Sequence, residues 1–244
     1  MSDSIVIIPT YNELGNIEKM IRKVFSLSKQ FHLLIIDDGS PDGTAGVVRQ
    51  LQKEFAGQLF LLERKGKLGL GTAYIAGFRW ALEHRYQFIF EMDCDFSHNP
   101  DDLLRLYDAC ANQGADMAVG SRYIKGGGFV NWPKDRILIS RGASIYVNLI
   151  TWIGIHDPTA GFVCYQRNVL ETLDLDKIKF VGYAFQIEMK FATKKLGFEV
   201  KEIPIIFTDR EVGVSKMNSN IIKEGILGVL KIQWNSFFSD YRKN

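Results

Sequence analysis

The residues best suited to chemistry are Asp93 and Asp95, where the apolar run Phe88-Ile89-Phe90-Glu91-Met92 breaks into Asp93-Cys94-Asp95 and then Phe96-Ser97-His98-Asn99-Pro100. In a strand, residues i and i+2 share a side, so the two carboxylates at the end of a buried strand project together from one sheet edge. Converging carboxylates repel unless a cation lies between them, and hard cations such as Mg²⁺ take such oxygens together with substrate phosphates. One reading is a metal–diphosphate site. The other is a strand-to-loop junction whose acids face water, and the Asp-x-Asp spacing alone does not separate the two.

The surrounding pattern predicts what positions this pair. Ile5-Val6-Ile7-Ile8-Pro9, Leu33-Leu34-Ile35-Ile36, Leu59-Phe60-Leu61-Leu62, Phe88 to Met92 and Met117-Ala118-Val119-Gly120 are short, continuous apolar runs, the signature of strands buried on both faces. Between them lie helical patterns. Ile17, Met20, Ile21 and Val24 share a face behind Asn12 or Asn16 as cap; Val47, Val48, Leu51 and Phe55 mark a second helix; Gly66 to Ala73 opens a third; and Asp101-Asp102 start a fourth. Strand–helix alternation to about residue 120 predicts an α/β fold with a mostly parallel central sheet and helices on both faces. Ligands of such sheets sit at the carboxyl ends of the strands. That edge carries Pro9-Thr10-Tyr11, Asp37-Asp38 and Asp93-Cys94-Asp95, converging on one crevice.

The later half is less regular. Gly126-Gly127-Gly128 reads as a hinge, residues 137–153 as a helix, Val163-Cys164-Tyr165 as a strand, Phe185 to Leu196 as a helix and Glu199 to Phe207 as an alternating edge strand. Thr208 to Ser219 reads as a polar, basic loop, and 220 to about 238 as a final helix. With no linker or repeat, residues 1–244 read as a single domain of two halves, about 1–120 and about 121–244.

Composition narrows the function. A formal charge of +2 argues against general nucleic-acid binding. Cys94, Cys110 and Cys164 are odd in number and widely spaced, which fits a reducing compartment better than disulfides or zinc. The N-terminus lacks the basic start of a signal peptide, and no stretch approaches the ~20 apolar residues of a membrane span. The expectation is a cytoplasmic protein whose contact with a membrane is peripheral.

The first strand-to-helix junction, Pro9-Thr10-Tyr11-Asn12-Glu13, lacks the glycines of a dinucleotide-binding fingerprint, and no P-loop or Gly-x-Ser-x-Gly elbow occurs. What does occur, in order, is Pro9 to Glu13, Asp37-Asp38-Gly39-Ser40-Pro41-Asp42-Gly43-Thr44, Gly69-Leu70-Gly71-Thr72-Ala73 and Asp93 to His98. These are followed by Gly120-Ser121-Arg122-Tyr123, Trp132-Pro133-x-x-Arg136, Asp157-Pro158-Thr159-Ala160-Gly161-Phe162 and Gly182 to Met189. The conjunction resembles the family 2 inverting glycosyltransferases of GT-A (nucleotide-diphospho-sugar transferase) fold. Among them it is similar to the polyprenol- and dolichol-phosphate mannose synthases, over roughly residues 5–230.

That resemblance implies a metal-dependent enzyme carrying mannose from GDP-mannose to a polyprenyl phosphate, working at the cytoplasmic face of a membrane or on a membrane anchor protein. It assigns Mg²⁺ or Mn²⁺ to Asp93, Asp95 and Ser97. It assigns the nucleotide sugar to Pro9, Tyr11, Glu13, Asp38 and Asp93, with Arg210 and Lys216. It assigns the acceptor phosphate to Arg122, Arg136 and Ser140. Asp95, Arg122, Arg136 and Arg210 form the catalytic group. Arginine's planar fork suits phosphate, and an ionised phosphate needs no strong base; Asp157 and Glu188 are left without an assigned catalytic role, and Gln186 and Glu188 are expected to orient other groups. Two alternatives share the fold: a UDP-glucose-dependent transferase, and a nucleotide-sugar-binding protein without turnover.

Overall fold

A computed structural model describes residues 2–182, 184–209, 219–238 and 240–243, without the side chains of 219–224 and 226. The apolar runs of the first half form β1 (Ser4–Thr10), β2 (His32–Asp37), β3 (Leu59–Glu63) and β4 (Phe88–Glu91), alternating with α1 (Ile17–Phe25), α2 (Thr44–Glu54) and α3 (Leu70–Glu83). After β4 come α4 (Leu103–Ala111), β5 (Met117–Ser121), β6 (Gly128–Val130), α5 (Lys134–Thr151), β7 (Val163–Gln166) and α6 (Arg167–Thr172). The chain continues through α7 (Ala184–Lys195), β8 (Val200–Pro204), β9 (Ile206–Thr208) and α8 (Ser219–Asn235).

A seven-stranded sheet in the order β3-β2-β1-β4-β7-β5-β8 organises the structure. Its strands are apolar throughout because both faces are covered. Ile5 and Ile7 of β1 with Leu34 and Ile36 of β2 pack under α3 and α7, whereas Val6, Ile8, Leu33 and Ile35 pack under α1, α2 and α4. Successive side chains point to opposite faces, so each strand feeds both cores. In α3 the close approach is made by Gly77: a Cβ there would lie 2.7 Å from Ile7 Cγ2 and 2.9 Å from Ile36 Cδ1.

Four expectations change. Residues up to 120 do not form one continuous parallel set, because β7 lies antiparallel between β4 and β5, with Cys164 opposite both Phe90 and Ala118. The alternating run 199–207 is two strands. β8 pairs parallel with β5 at the sheet edge, and β9 leaves it to pair parallel with β6 in a two-stranded sheet. Ile205 is the corner: its N–H donates to Ser121 O (3.0 Å), its carbonyl accepts from Gly128 N–H (3.0 Å), and its buried side chain packs over Gly120. Gly128, read as part of a hinge, is thereby the first residue of β6. Asn16 precedes α1 without a side-chain capping bond; its amide donates to the Glu13 carboxylate instead (3.0 Å). The loop read at 208–219 lies, from 210 to 218, outside the described residues.

Overpacking a well-filled core costs about 1–3 kcal/mol. Gly77→Val is therefore expected to lower unfolding stability by that amount in urea titration, and an unchanged midpoint would show that α3 does not need this close contact.

Candidate active site

The carboxyl ends of β1, β2 and β4 are neighbours, so their loops meet as the sequence predicts. The β1 and β2 loops are stitched by short polar side chains. Thr10 Oγ1 donates to Asp37 Oδ2 (3.0 Å), and Ser40 donates to Asp37 from both its N–H (2.9 Å) and Oγ (2.6 Å). Across the gap, Asn12 N–H donates to Ser40 Oγ and Glu13 N–H to Thr44 Oγ1, each at 3.0 Å. Asp37 thus builds the loop, while Asp38 faces a partner that the sequence reading missed. Arg64, just after β3, forks onto Asp38 (Nε–Oδ1 2.6 Å, Nη2–Oδ2 2.9 Å) and donates from Nη1 to Thr72 Oγ1 (2.9 Å) at the start of α3. Lys67 Nζ lies 5.2 Å from the centre of the Tyr11 ring. The only signal for these cations was the basic run Arg64-Lys65-Gly66-Lys67 following an apolar strand. Pro9, Tyr11, Glu13 and Asp38 are brought together here.

At the end of β4, Asp93 is 42% exposed at its side chain, and Asp95 Oδ1 accepts from Ser97 N–H (3.1 Å), which turns the chain sharply at Phe96 (φ 60°). His98 is buried beneath them. Burial, reinforced by the charge of Arg122 and only partly opposed by Asp95 and Asp157, pushes its pKa down to about 4. It is therefore neutral at pH 7, and its Nδ1 accepts from Asp93 N–H (3.5 Å). The 4.0 Å approach of Nδ1 to Asp93 Oδ2 is accordingly no ion pair, because an acceptor nitrogen carries no proton. Below this edge the Tyr74 hydroxyl is buried without a hydrogen-bond partner among the described residues; burial, with the charges of Asp93, Glu91 and Asp95, raises its pKa.

The donor set suits a hard divalent cation that also takes substrate oxygens. Asp93 and Asp95 are both oxygen donors on one loop, Ser97 lies beside them, and no third acid, His or Cys completes an all-protein cage among the described residues. A site with few protein ligands, completed by phosphate, is the usual arrangement for Mg²⁺.

The residues expected to take the acceptor phosphate also cluster, in a way the sequence did not anticipate. Arg122 is buried and spends its fork on Asp157 (Nε–Oδ2 2.7 Å, Nη2–Oδ1 2.7 Å), with a further bond to Thr159 Oγ1 (2.9 Å). Burial alone would raise the Asp157 pKa, but the charge and hydrogen bonds of Arg122 outweigh it and hold the carboxyl below its usual range. Asp157 is fully buried and clamped by Arg122. Around Arg122 stand Tyr123, Phe129, Trp132 and Phe207, with ring centres 5.4–5.8 Å from its guanidinium carbon. Arg136 lies 4.1 Å over Trp132 and pairs with Asp209 (3.2 Å). Ser140 Oγ accepts from Tyr123 Oη (2.7 Å). Arg210 and Lys216 lie outside the described residues. A cleft of about 670 Å³ is lined by Asp95, Phe96, Thr208 and Asp209 among others, and Asp209 is the partner of Arg136.

Gln186 and Glu188 hold the frame. Gln186 Nε2 donates to Glu91 (2.5 Å), and Glu188 accepts from the N–H groups of Lys179 (2.8 Å) and Phe180 (3.0 Å). Breaking a buried ion pair by removing one charge costs about 3–5 kcal/mol. Asp157→Asn is expected to destabilise the protein by that amount in chemical denaturation, and a loss below about 1 kcal/mol would show that Arg122 finds another counter-charge.

Comparison with known proteins agrees with this geometry. Residues 5–174 match glycosyl transferase family 2. The chain is 45% identical over 226 residues to polyprenol monophosphomannose synthase of Mycolicibacterium smegmatis, an alignment covering 93% of this chain and 85% of that protein. It is 40% identical over 227 residues to undecaprenyl-phosphate mannosyltransferase of Micrococcus luteus, covering 93% and 92%. Among solved structures, it resembles glucosyl-3-phosphoglycerate synthase from Mycobacterium tuberculosis in complex with Mn²⁺, uridine diphosphate and glucosyl-3-phosphoglycerate (TM-score 0.68, 16% identity, 95% of this chain and 80% of that one). It also resembles a mannosyltransferase from Pyrobaculum calidifontis in complex with GDP-Man and Mn²⁺ (TM-score 0.61, 18% identity, 97% and 64%). At such identities the structural likeness speaks for the fold. The chain belongs to glycosyl transferase family 2 and is a glycosyltransferase of GT-A fold.

Proposed function

We propose that the protein transfers mannose from GDP-mannose, with inversion, to the phosphate of a polyprenyl phosphate, using Mg²⁺ or Mn²⁺. The observation that carries this reading is the contact between the Asp93–His98 loop and the arginine–aromatic cluster: Phe207, which packs on Arg122 and Trp132, lies 5.3 Å from His98, and Thr208 N–H donates to Ser97 O (3.2 Å). The two relatives named for mannosyl transfer to such lipids point the same way. In this reading one domain serves both substrates, residues 1–120 taking the nucleotide sugar and 121–244 the acceptor.

Pro9, Tyr11, Glu13 and Asp38 bind the nucleoside, with Arg64 fixing the Asp38 carboxylate. Asp93, Asp95 and Ser97 hold the cation against the donor diphosphate; when bound, it neutralises charge on the departing diphosphate. An oxygen of the acceptor phosphate attacks the anomeric carbon from the face opposite the diphosphate. The new C–O bond forms as the old one breaks, and its electron pair leaves with GDP. The phosphate is already ionised, so the residues need only hold two anions together. Arg136, Ser140, Arg210 and Lys216 serve the phosphates, and Arg122, its charge met by Asp157, braces the aromatic cluster on which Arg136 packs.

The lipid requires a surface. No helix among the described residues is long and apolar enough to cross a membrane. On α5, Leu138, Ile145, Leu149 and Trp152 are 56–83% exposed, at spacings that align them along one stripe with Arg141. On α8, Leu227, Leu230 and Trp234, followed by Phe237 and Phe238, are 46–77% exposed, and Trp152 and Phe237 line one shallow pocket with Lys194 and Lys195. Aromatic, aliphatic and basic residues in one band suit the headgroup interface. This band is the peripheral contact with the membrane.

Incubation with a polyprenyl phosphate and either GDP-mannose or UDP-glucose tests the donor. Lipid-linked mannose is expected, and product from UDP-glucose alone would replace this reading with glucosyl transfer. Asp95→Asn, or removal of divalent metal by EDTA, is expected to cut turnover by about 100-fold or more without unfolding the protein; full turnover in either case would refute the metal role. For the membrane, Leu149→Glu/Trp234→Glu is expected to stay in the supernatant of liposomes that sediment the parent protein. Equal sedimentation of both would exclude this band.

A further inference from the structure

The outward face of α5 carries a cation without a counter-charge. Arg141 lines a pocket of about 370 Å³ together with Ile145, Asn148, Leu149, Trp152 and His156, among others. Among the described residues no carboxylate lines this pocket, and Arg141 itself makes no hydrogen bond or ion pair with any of them. The formal charge of the chain is only +2, so attraction of an anion to this face has to come from the site itself rather than from the field of the whole protein.

Helical spacing separates the pocket from the reacting side. Successive residues lie about 100° apart around a helix axis, which puts Arg141, Ile145, Asn148 and Leu149 on one face of α5 and Arg136, Ser140, Ser144 and Val147 on another. The second face is the inward one: Ser140, Ser144 and Val147 are at most 8% exposed, against 56% for Ile145 and 68% for Leu149. The polar atoms of the pocket are partly committed. Asn148 spends both amide hydrogens on the carbonyls of Ser144 (3.0 Å) and Ile155 (2.7 Å), so its Oδ1 remains as an acceptor. His156 Nδ1 is bonded to Glu202 Oε2 (2.7 Å), leaving Nε2 as the other polar atom of the ring. Trp152 closes the helix with φ 50°, a conformation bulky residues rarely adopt and one that clusters at ligand sites. Its N–H is tied to Asn148 O (2.9 Å), and its side chain stays out at the rim, 83% exposed.

We infer that this pocket binds the headgroup of an anionic phospholipid, with the phosphate on the Arg141 guanidinium and the acyl chains against Ile145, Leu149 and Trp152. A planar fork of unspent donors suits a phosphate, and the volume is in the range of small-molecule sites. The rim runs into the exposed apolar band, so the ligand has an anionic head and an apolar tail. A hydroxyl on the head meets Asn148 Oδ1, which favours a glycerol headgroup. The reacting prenyl phosphate is not the occupant, because its phosphate belongs with Ser140 and Arg136 on the other face of the helix. This rests on the membrane contact proposed above and adds to it one lipid class held at one place.

The test titrates the full chain, by calorimetry, with short-chain phosphatidylglycerol below its micelle concentration. A monomeric lipid has no surface potential to draw on the lysines of the band. Saturable binding is expected, with short-chain phosphatidylcholine and inorganic phosphate each bound about tenfold or more weakly. Arg141→Gln, at an exposed position, should weaken phosphatidylglycerol binding about tenfold or more, as loss of a charge-assisted hydrogen bond requires. Lys194→Gln removes the same charge elsewhere in the band and should leave binding unchanged. Equal losses in the two variants, or equal affinity for phosphatidylcholine, would mean that no headgroup pocket exists and would overturn the inference. Displacement of the phospholipid by farnesyl phosphate, with Arg141→Gln weakening both, would give the pocket to the acceptor and overturn it as well. Vesicle co-sedimentation separates this from the membrane contact. A chain that binds soluble phosphatidylglycerol through Arg141 yet stays off every vesicle keeps the pocket and loses the contact. One that sediments equally with phosphatidylcholine vesicles with or without phosphatidylglycerol, as does Arg141→Gln, keeps the contact and loses the pocket.

Discussion

The buried ion pair between Arg122 and Asp157 is the constraint on which the second half of the chain depends. Both groups are out of water, and Arg122 reaches Asp157 through its backbone N–H (3.0 Å) as well as its side chain. A buried charge is tolerable only when paired and hydrogen-bonded, so this pair dictates that the end of β5 and the loop before β7 stay in register. The same loop is held from the other side. Lys190 of α7 donates to Ala160 O (2.6 Å), and its pKa is lowered by burial and partly restored by Glu91 and Asp157. Glu91, at the end of β4, is raised by burial and satisfied by Tyr165 (3.0 Å) and Gln186. One polar network thus links β4, β5, β7 and α7, directly beneath the Asp93/Asp95 loop.

This network explains why a glycosyltransferase site can gather several charges without collapsing on them. Asp93, Asp95 and Arg136 adjoin a layer in which Arg122, Asp157, Lys190 and Glu91 each have a partner. On the nucleotide side Asp38 and Arg64 play the same part, and the short side chains of Thr10, Ser40 and Thr44 close the loops without adding bulk. Side chains whose own hydrogen bonds are complete hold their geometry, which is what positioning two anionic substrates demands.

The first four strands were legible because their signal is local: a run such as Ile5 to Ile8 is apolar at every position, and only burial on both faces makes use of that. The Asp93/Asp95 edge followed from strand periodicity and from the parallel order of β2, β1 and β4. The insertion of β7 between β4 and β5 was not legible, since it depends on pairing residues more than forty positions apart. Nor was the division of 199–207, where the alternation runs on unbroken and only the inward turn of Ile205 between two sheets ends the first strand.

The site shows the same division. Residue types and spacing singled out Asp93 and Asp95, since carboxylates at a strand end carry their chemistry with them, whereas Asp38, Arg122 and Arg136 were singled out by the resemblance to the family. Which charges pair was decided in three dimensions. Arg64 and Asp38, twenty-six residues apart, meet because β2 and β3 are neighbours; Arg122 turns inward to Asp157 rather than toward the cleft; and Trp132, unremarked in the sequence as more than part of a motif, comes to lie against Arg136 with its N–H unused. The sequence by itself determined the two-faced strands and the Asp93-Cys94-Asp95 edge, since periodicity and burial act over a few residues. The pairing of distant charges came only with the tertiary structure, because desolvation makes each buried charge depend on whichever partner the fold brings within reach.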